Sequence, residues 1–265
     1  MNLTIRQETP ADHYAVEAIT RDAFWQFWED DRAICDEHFL VSKLRNVEAL
    51  VPELNCVAVQ DGEVVGHIIY TKSWIESGNG ENVGTLTFGP LTVAPEHQNK
   101  GIGRALMEHT FAIAKDMGFC AVLIFGIPDY YPRVGFKHAN DFGITSGDEE
   151  ACDAFLVYTL YEGALDGIHG EYKLDPVYFS LTQEETLEFD KKFPVKTPHT
   201  PTPITSLLER LEPDAASAIQ KAGFKTFDRL KANSEREIAS LPGIDKKAMN
   251  TIKTMMKEHS FPWGE

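Results

Sequence analysis

No stretch of this sequence approaches the roughly 18 to 20 consecutive apolar residues that a helix needs to cross a bilayer. The opening residues, MNLTIRQETPADHY, also lack a basic segment followed by an apolar one, so no secretory leader is expected. Cysteine is scarce: four in 265 residues, Cys35, Cys56, Cys120 and Cys152, with no paired spacing. This argues against a disulfide framework and a cysteine metal site, and reads as buried thiols in a reducing, cytoplasmic compartment. Basic residues are also in deficit, with 25 Lys and Arg against 41 Asp and Glu. The imbalance is confined to residues 1–206, where the net charge is −17; residues 207–265 carry +1. An acidic body disfavours nonspecific nucleic-acid binding and suits cationic partners, although solubility alone accounts for such a surface equally well.

What is present is ordinary globular material, 43% hydrophobic and 25% charged. Thr9-Pro10-Ala11-Asp12 reads as a helix start after a short strand at Leu3 to Arg6, with the helix running to about Phe24. A second helical pattern spans Phe39 to Leu50. Asn55–Gln60 and Glu63–Lys72 flank Asp61-Gly62, a hairpin signal, and a third strand ends in LTFGPLTVAP. Gly101 to Met117 reads as an amphipathic helix with Ile102, Leu106, Ile113 and Met117 on one stripe, ended by Gly118. The next strand, Phe119 to Phe125, completes a strand–helix–strand crossover, so the strands on either side of that helix are expected to be parallel neighbours. With further strands at Ala154–Leu160 and Gly170–Leu174, residues 1–190 read as a mixed sheet with helices on both faces. The four prolines of KKFPVKTPHTPTPITS, residues 191–206, read as an extended linker to a small helical domain at 207–265.

HQNKGIGRALM, residues 97–107, spends two glycines where a helix begins. Tight packing is one explanation. The other is an anion held by the unpartnered amides of the first helical turn, with Gln98, Lys100 and Arg104 adding donors. The absence of Gly-Lys-Ser or Gly-Lys-Thr disfavours a Walker-type site, and a dinucleotide fingerprint would need a third glycine near Leu106.

Gln98-x-x-Gly101-x-Gly103-Arg104 resembles the acyl-CoA diphosphate loop of the GCN5-related N-acetyltransferase (GNAT) superfamily. Tyr131, four places before Gly135-Phe136 in DYYPRVGF, resembles that superfamily's second signature. The order of strands and helices over residues 2–180 is similar as well. The resemblance implies an α+β fold with a mixed, mostly antiparallel sheet, and transfer of acetyl from acetyl-CoA to the amine of a small molecule or protein by direct attack. It implies that Leu91, Thr92 and Val93 hold the pantetheine arm through backbone groups. It also places Gln98, Asn99, Lys100, Gly101, Ile102, Gly103, Arg104 and Ala105 at the diphosphate. The amide of Val93 is expected to stabilise the oxyanion and Tyr131 to protonate the leaving thiolate. The superfamily's asparagine after the second crossover strand has no counterpart here; only Asp129 stands near that place. Asp22, Glu29, His97 or a water chain are the candidate bases, and each of the three side chains reads more readily as a solvated surface group. FWQFWEDD offers Trp25, Trp28, Glu29, Asp30 and Asp31 either as an aromatic, acidic mouth for a cationic amine or as a helix with aromatics inward and acids outward.

The last sixty residues resemble a helix-hairpin-helix unit, and more closely the C-terminal domain of the bacterial RNA polymerase alpha subunit. The likeness rests on GFKTFDRL followed by LPGIDKK, with a capping box at Ser234 and Glu237. It implies phosphate contacts through Gly243, Lys246, Lys247 and Lys253, opposed by Asp245 where a second glycine is usual. DNA, a protein partner, or simple packing are the readings for this segment. An acetyl-CoA-sensing regulator that binds DNA or a transcription partner is therefore the alternative to an enzyme.

Overall fold

The computed structural model describes residues 3–25, 34–77, 80, 82–128, 130–147, 153–196, 202–231, 233 and 235–259. Contacts divide the described residues into one unit extending to Val195 and another beginning at Lys196.

The first unit opens with β1 (Leu3–Gln7), a 3-10 turn at Pro10–Asp12 and α1 (His13–Phe24). Asp12 joins these pieces: its carboxylate accepts from the Thr9 amide at 2.8 Å and from both terminal nitrogens of Arg6 at 2.7 and 2.8 Å. α2 follows at Glu37–Leu44, shorter than the pattern through Leu50 suggests. Next come β2 (Cys56–Gln60) and β3 (Glu63–Ser77), joined by the tight turn at Asp61-Gly62, whose φ values are 52° and 90°. β4 (Asn82–Val93), α3 (Ile102–Asp116) and β5 (Ala121–Phe125) form the crossover. Three short strands and a longer one, β6 (Lys137–His138), β7 (Ile144–Thr145), β9 (Gly170–Lys173) and β8 (Phe155–Thr159), complete the sheet, and α4 (Gln183–Asp190) closes the unit.

The strand order is β1-β2-β3-β4-β5-β8-β6, with β9 on the far half of β3 and β7 on β9. Along the main path every pair is antiparallel except β4–β5. α3 turns Ile102, Leu106, Met107, Phe111 and Ala114 onto one sheet face. Met117, expected on that stripe, is 42% exposed, because it lies beyond the last helical turn as the C-cap.

The second unit is helical: α5 (Thr205–Arg210), α6 (Pro213–Lys221), α7 (Phe227–Lys231), α8 (Glu235–Ser240) and α9 (Lys246–Glu258). Leu207, Ile219, Phe227, Leu230, Ile238 and Ile252 form its core, all fully buried. Both ends of the sequence-defined linker are tied down. Phe193 is buried, stacked on Tyr14 in the first unit, and Ile204 is buried in the second.

In the second unit, Asp245, Gly243, Lys247 and Lys253 are engaged within the unit itself. Asp245 caps α9, accepting the Ala248 amide at 2.7 Å. Gly243 is seated against α6, where a Cβ would stand 3.0 Å from the Asp214 carbonyl oxygen. Lys247 pairs with Glu212 at 2.8 Å and Lys253 with Glu235. Ser234 lies outside the described residues.

Candidate active site

β4 and β5 begin as neighbours and then part. Their ladder has a single register pair, Leu86 with Val122, although β4 continues seven residues beyond it. The cause lies on the other side of β4. There the register with β3 jumps from Tyr70–Phe88 to Ile68–Leu91, so two residues of β4 oppose one of β3, which bends β4 at Gly89-Pro90. The result is a wedge between β4 and β5, beside the N-terminus of α3.

Alternation along β4 decides which backbone groups line the wedge. The Ala94 amide donates to the Val65 carbonyl at 2.9 Å, so by the antiparallel pattern Thr92 lies in a hydrogen-bonded pair with His67. Leu91 and Val93 therefore turn their backbone groups away from β3, toward the wedge. This corrects the expectation for Thr92, whose amide belongs to the ladder. Its side chain faces α1 instead, 3.0 Å from the Thr20 hydroxyl in a fully buried contact.

The loop after β4 is shaped by two left-handed residues, Asn99 (φ 60°) and Gly101 (φ 81°). Gly101 is the N-cap of α3, and Ala105 makes the first intrahelical bond, to the Gly101 carbonyl at 2.9 Å. The amides of Ile102, Gly103 and Arg104 consequently have no intrahelical acceptor. The side chains expected to reinforce them act locally. Gln98 donates to the Val93 carbonyl at 3.1 Å, Lys100 to the Glu96 carbonyl at 2.8 Å, and Arg104 to Glu108 at 2.7 Å. The donors that the loop leaves without a partner among the described residues are thus chiefly main-chain. Ala105 is half-buried behind it.

Tyr131 lies on the β5 side of the wedge, in a 3-10 turn (Tyr131–Val134). Its ring is packed among Tyr130, Phe136 and Phe88, with centroids 5.0, 5.2 and 6.0 Å away. Burial pushes its phenol well above the usual value, with the neighbouring Tyr130 adding to the shift, so the hydroxyl carries its proton. Phe111, Phe136 and Tyr158 extend this aromatic wall toward α3.

Of the candidate bases, Asp22 is exposed on α1, and His97 is half-buried with a buried Nδ1 that has no hydrogen-bond partner among the described residues. Glu29, Trp28, Asp30, Asp31, Asp129 and Cys152 lie outside the described residues. Trp25 is buried at the end of α1, with the Arg21 guanidinium 4.5 Å from its ring centroid, so it serves the inward-facing reading.

Sequence reasoning missed a buried charge network behind the other face of β3 and β4. Arg45 spans Glu8 (2.7 Å) and Glu17 (2.5 Å), and Glu17 also pairs with Lys192. Arg21 grips Asp190 through two bonds of 2.5 and 2.8 Å, with His38 Nε2 3.1 Å from the same carboxylate. The one available signal was Glu17 and Arg21 at i, i+4 beside Val16 and Thr20 on the apolar face of α1.

Comparison with known proteins bears directly on this geometry. Residues 16–136 match the model of the Acetyltransferase (GNAT) family. The chain is an acyltransferase, similar over these residues to the GNAT family. The uncharacterized N-acetyltransferase YhbS of Escherichia coli K12 is 29% identical over 169 residues, 63% of this chain and 93% of that protein. The crystal structure of E. coli YhbS in complex with CoA superposes with a TM-score of 0.59 at 26% identity, covering 69% of this chain and 94% of that one. A GNAT acetyltransferase from Brucella melitensis in complex with acetyl-CoA gives 0.53 at 26% identity, covering 67% and 98%. The GNAT match covers the bent β4, the α3 loop and Tyr131 alike. Among the described residues no helix is long and apolar enough to cross a membrane.

Proposed function

We propose that the chain is an acetyl-CoA-dependent N-acetyltransferase that moves an acetyl group to a primary amine by direct attack. The observation that carries this reading is the wedge between β4 and β5, opening onto the unpaired amides of α3 in a GNAT domain. The donor set fits a thioester of CoA. Outward-facing backbone of Leu91 and Val93 suits an amide-containing arm, and the amides of 101–104 suit a diphosphate. Bound acetyl-CoA supplies an activated acyl group. The chain's part is then to orient that group along β4, to aim the Val93 amide at the developing oxyanion, and to hold the Tyr131 proton for the leaving sulfur.

Thiol release from acetyl-CoA, measured against a panel of small amines and peptides, tests the activity. Turnover with at least one amine is expected, and Tyr131→Phe should lower it on that acceptor at least tenfold. Equal turnover across pH by the variant would remove Tyr131 from the role. Gly103→Glu should abolish CoA binding, since its side chain would start against Tyr130, Leu91 and Val93 and bring a negative charge to the first turn of α3. For the second unit a packing or protein-docking role is favoured over DNA contact, because Asp245, Lys247 and Lys253 already have partners within it.

A further inference from the structure

The tyrosine preceding Tyr131 occupies an unexpected place. Tyr130 is 38% exposed, and its hydroxyl reaches across the wedge to α3. A Cβ built on Gly103 would meet Tyr130 Oη at 3.5 Å, alongside Leu91 Cδ2 and Val93 Cγ2 at 3.6 Å. The phenol therefore spans from the end of β5 to the first turn of α3, next to the β4 edge. Its backbone is anchored on both sides: the Tyr130 amide donates to the Ile127 carbonyl at 3.1 Å, and its carbonyl accepts the Arg133 amide at 3.1 Å. The ring stands edge-on to Tyr131 at an interplanar angle of 79°.

What meets at this point is a set of donors without an acceptor. The amides of Ile102, Gly103 and Arg104 have no intrahelical partner. The Tyr130 hydroxyl has no hydrogen-bond partner among the described residues, and the Arg104 side chain is near enough for its charge to bear on the phenol. Partial burial raises the phenol above its ordinary value, so at neutral pH it is a proton donor. Converging N–H and O–H groups beside a cation, at the mouth of a wedge, match an anionic oxygen.

We propose that Tyr130 is a cofactor-binding residue whose hydroxyl donates to a phosphate oxygen of the CoA diphosphate, closing over the group that the α3 amides hold from below. The inference rests on CoA occupying the wedge, the reading given above. It adds one side-chain contact to a grip otherwise made by main chain. Because Tyr130 abuts Tyr131, it also makes the cofactor grip and the proton donor neighbours in one rigid turn.

Calorimetric titration of the full-length chain with CoA, comparing wild type with Tyr130→Phe, tests the assignment. The phenylalanine ring keeps the contact with Tyr131 and removes only the hydroxyl. The expected result is a Kd raised about tenfold, the loss of one hydrogen bond to a charged acceptor, with the melting temperature of the CoA-free protein unchanged within about 1 °C. A Tyr130→Phe protein that is equally stable and binds CoA as wild type does would overturn the assignment while leaving the acetyltransferase reading intact. A folded wild-type protein that fails to bind CoA would instead overturn both. Should Tyr130→Phe lower the melting temperature, Tyr130→His serves as the second variant: a restored donor that brings Kd back toward wild type supports the contact, and none counts against it.

Discussion

The ring of Tyr131 lies directly on the backbone of Gly126. A Cβ at Gly126 would stand 2.4 Å from Tyr131 Cε2 and 2.5 Å from Cδ2, distances that no methyl group can occupy. Phe88, Phe136 and Tyr130 close the remaining sides, so the ring cannot slip away without disturbing the aromatic wall. Gly126→Ala should therefore displace the phenol while leaving the α3 loop alone. The expected outcome is a fall in kcat at least as large as that of Tyr131→Phe on the same acceptor, with the Kd for CoA rising by no more than the roughly tenfold expected of Tyr130→Phe. Steady-state kinetics beside calorimetry check it, and an unchanged kcat would show that the ring position is not needed.

The two loop glycines should behave differently. Gly101 holds φ 81°, so Gly101→Ala is expected to cost about 1–2 kcal/mol of stability. Gly103 has helical neighbours, and a methyl there meets its surroundings at ordinary contact distances of 3.5 and 3.6 Å. Gly103→Ala should be neutral or stabilising by up to about 1 kcal/mol through helix propensity. Urea denaturation of the two variants against wild type measures the contrast.

Stability should fall as pH drops below neutrality. Burial holds the His67 imidazole down at about 4, against the pull of Glu8, and burial likewise holds His38 at about 4, against the pull of Asp190. In the unfolded chain a histidine titrates near 6.5. Between those values the unfolded state binds protons that the folded state refuses, so stability is full above about pH 6.5 and declines toward pH 4. The expected loss by pH 5 is about 2 kcal/mol for each histidine. Glu8 pulls the same way at lower pH. Its burial raises the carboxyl, but the bond from Arg45, with His67, the Arg45 charge and Asn55 adding to it, outweighs that and leaves it below its ordinary value, so its contribution is lost only as pH falls below the ordinary carboxylate range. His67→Gln should flatten the curve between pH 6.5 and 5, read by denaturant unfolding at each pH.

Cutting the tie between α1 and α4 should be costly. The Arg21 side chain is 3% exposed, and Asp190 takes two of its nitrogens. Asp190→Ala leaves that guanidinium buried and unpaired, at an expected cost of about 3–5 kcal/mol. Replacing both partners with apolar residues, Arg21→Met with Asp190→Leu, should recover most of the loss. Equilibrium unfolding of the single and double variants distinguishes the two outcomes.

Much of the first unit is legible in the sequence. Asp61-Gly62 marked the hairpin, and the apolar spacing of Ile102 and Leu106 marked α3. The strand–helix–strand order implied the parallel pair β4–β5. Each of these is a local signal, set by backbone conformation or by side-chain periodicity within one element. The helix ends were less legible. α2 stops at Leu44 although apolar residues continue to Leu50, because Val51 and Leu54 are recruited into the core through a separate short turn. The roles of individual loop residues were similarly hidden: nothing in HQNKGIGRALM says that Gln98 turns back to the Val93 carbonyl.

The sequence alone determined that a Gly-rich turn opens a helix after a strand, that a tyrosine stands four places before Gly-Phe, and that the acidic body gives way to a neutral helical tail. These are properties of neighbours along the chain. Only tertiary structure decided that Thr92 faces α1 while Leu91 and Val93 face the wedge, that Gly126 seats Tyr131, and that Tyr130 reaches Gly103. Strand register sets the first and packing between distant segments sets the others. So too with Arg21 and Asp190, 169 positions apart: a charge is drawn into the interior only where folding brings its counter-charge to the same place.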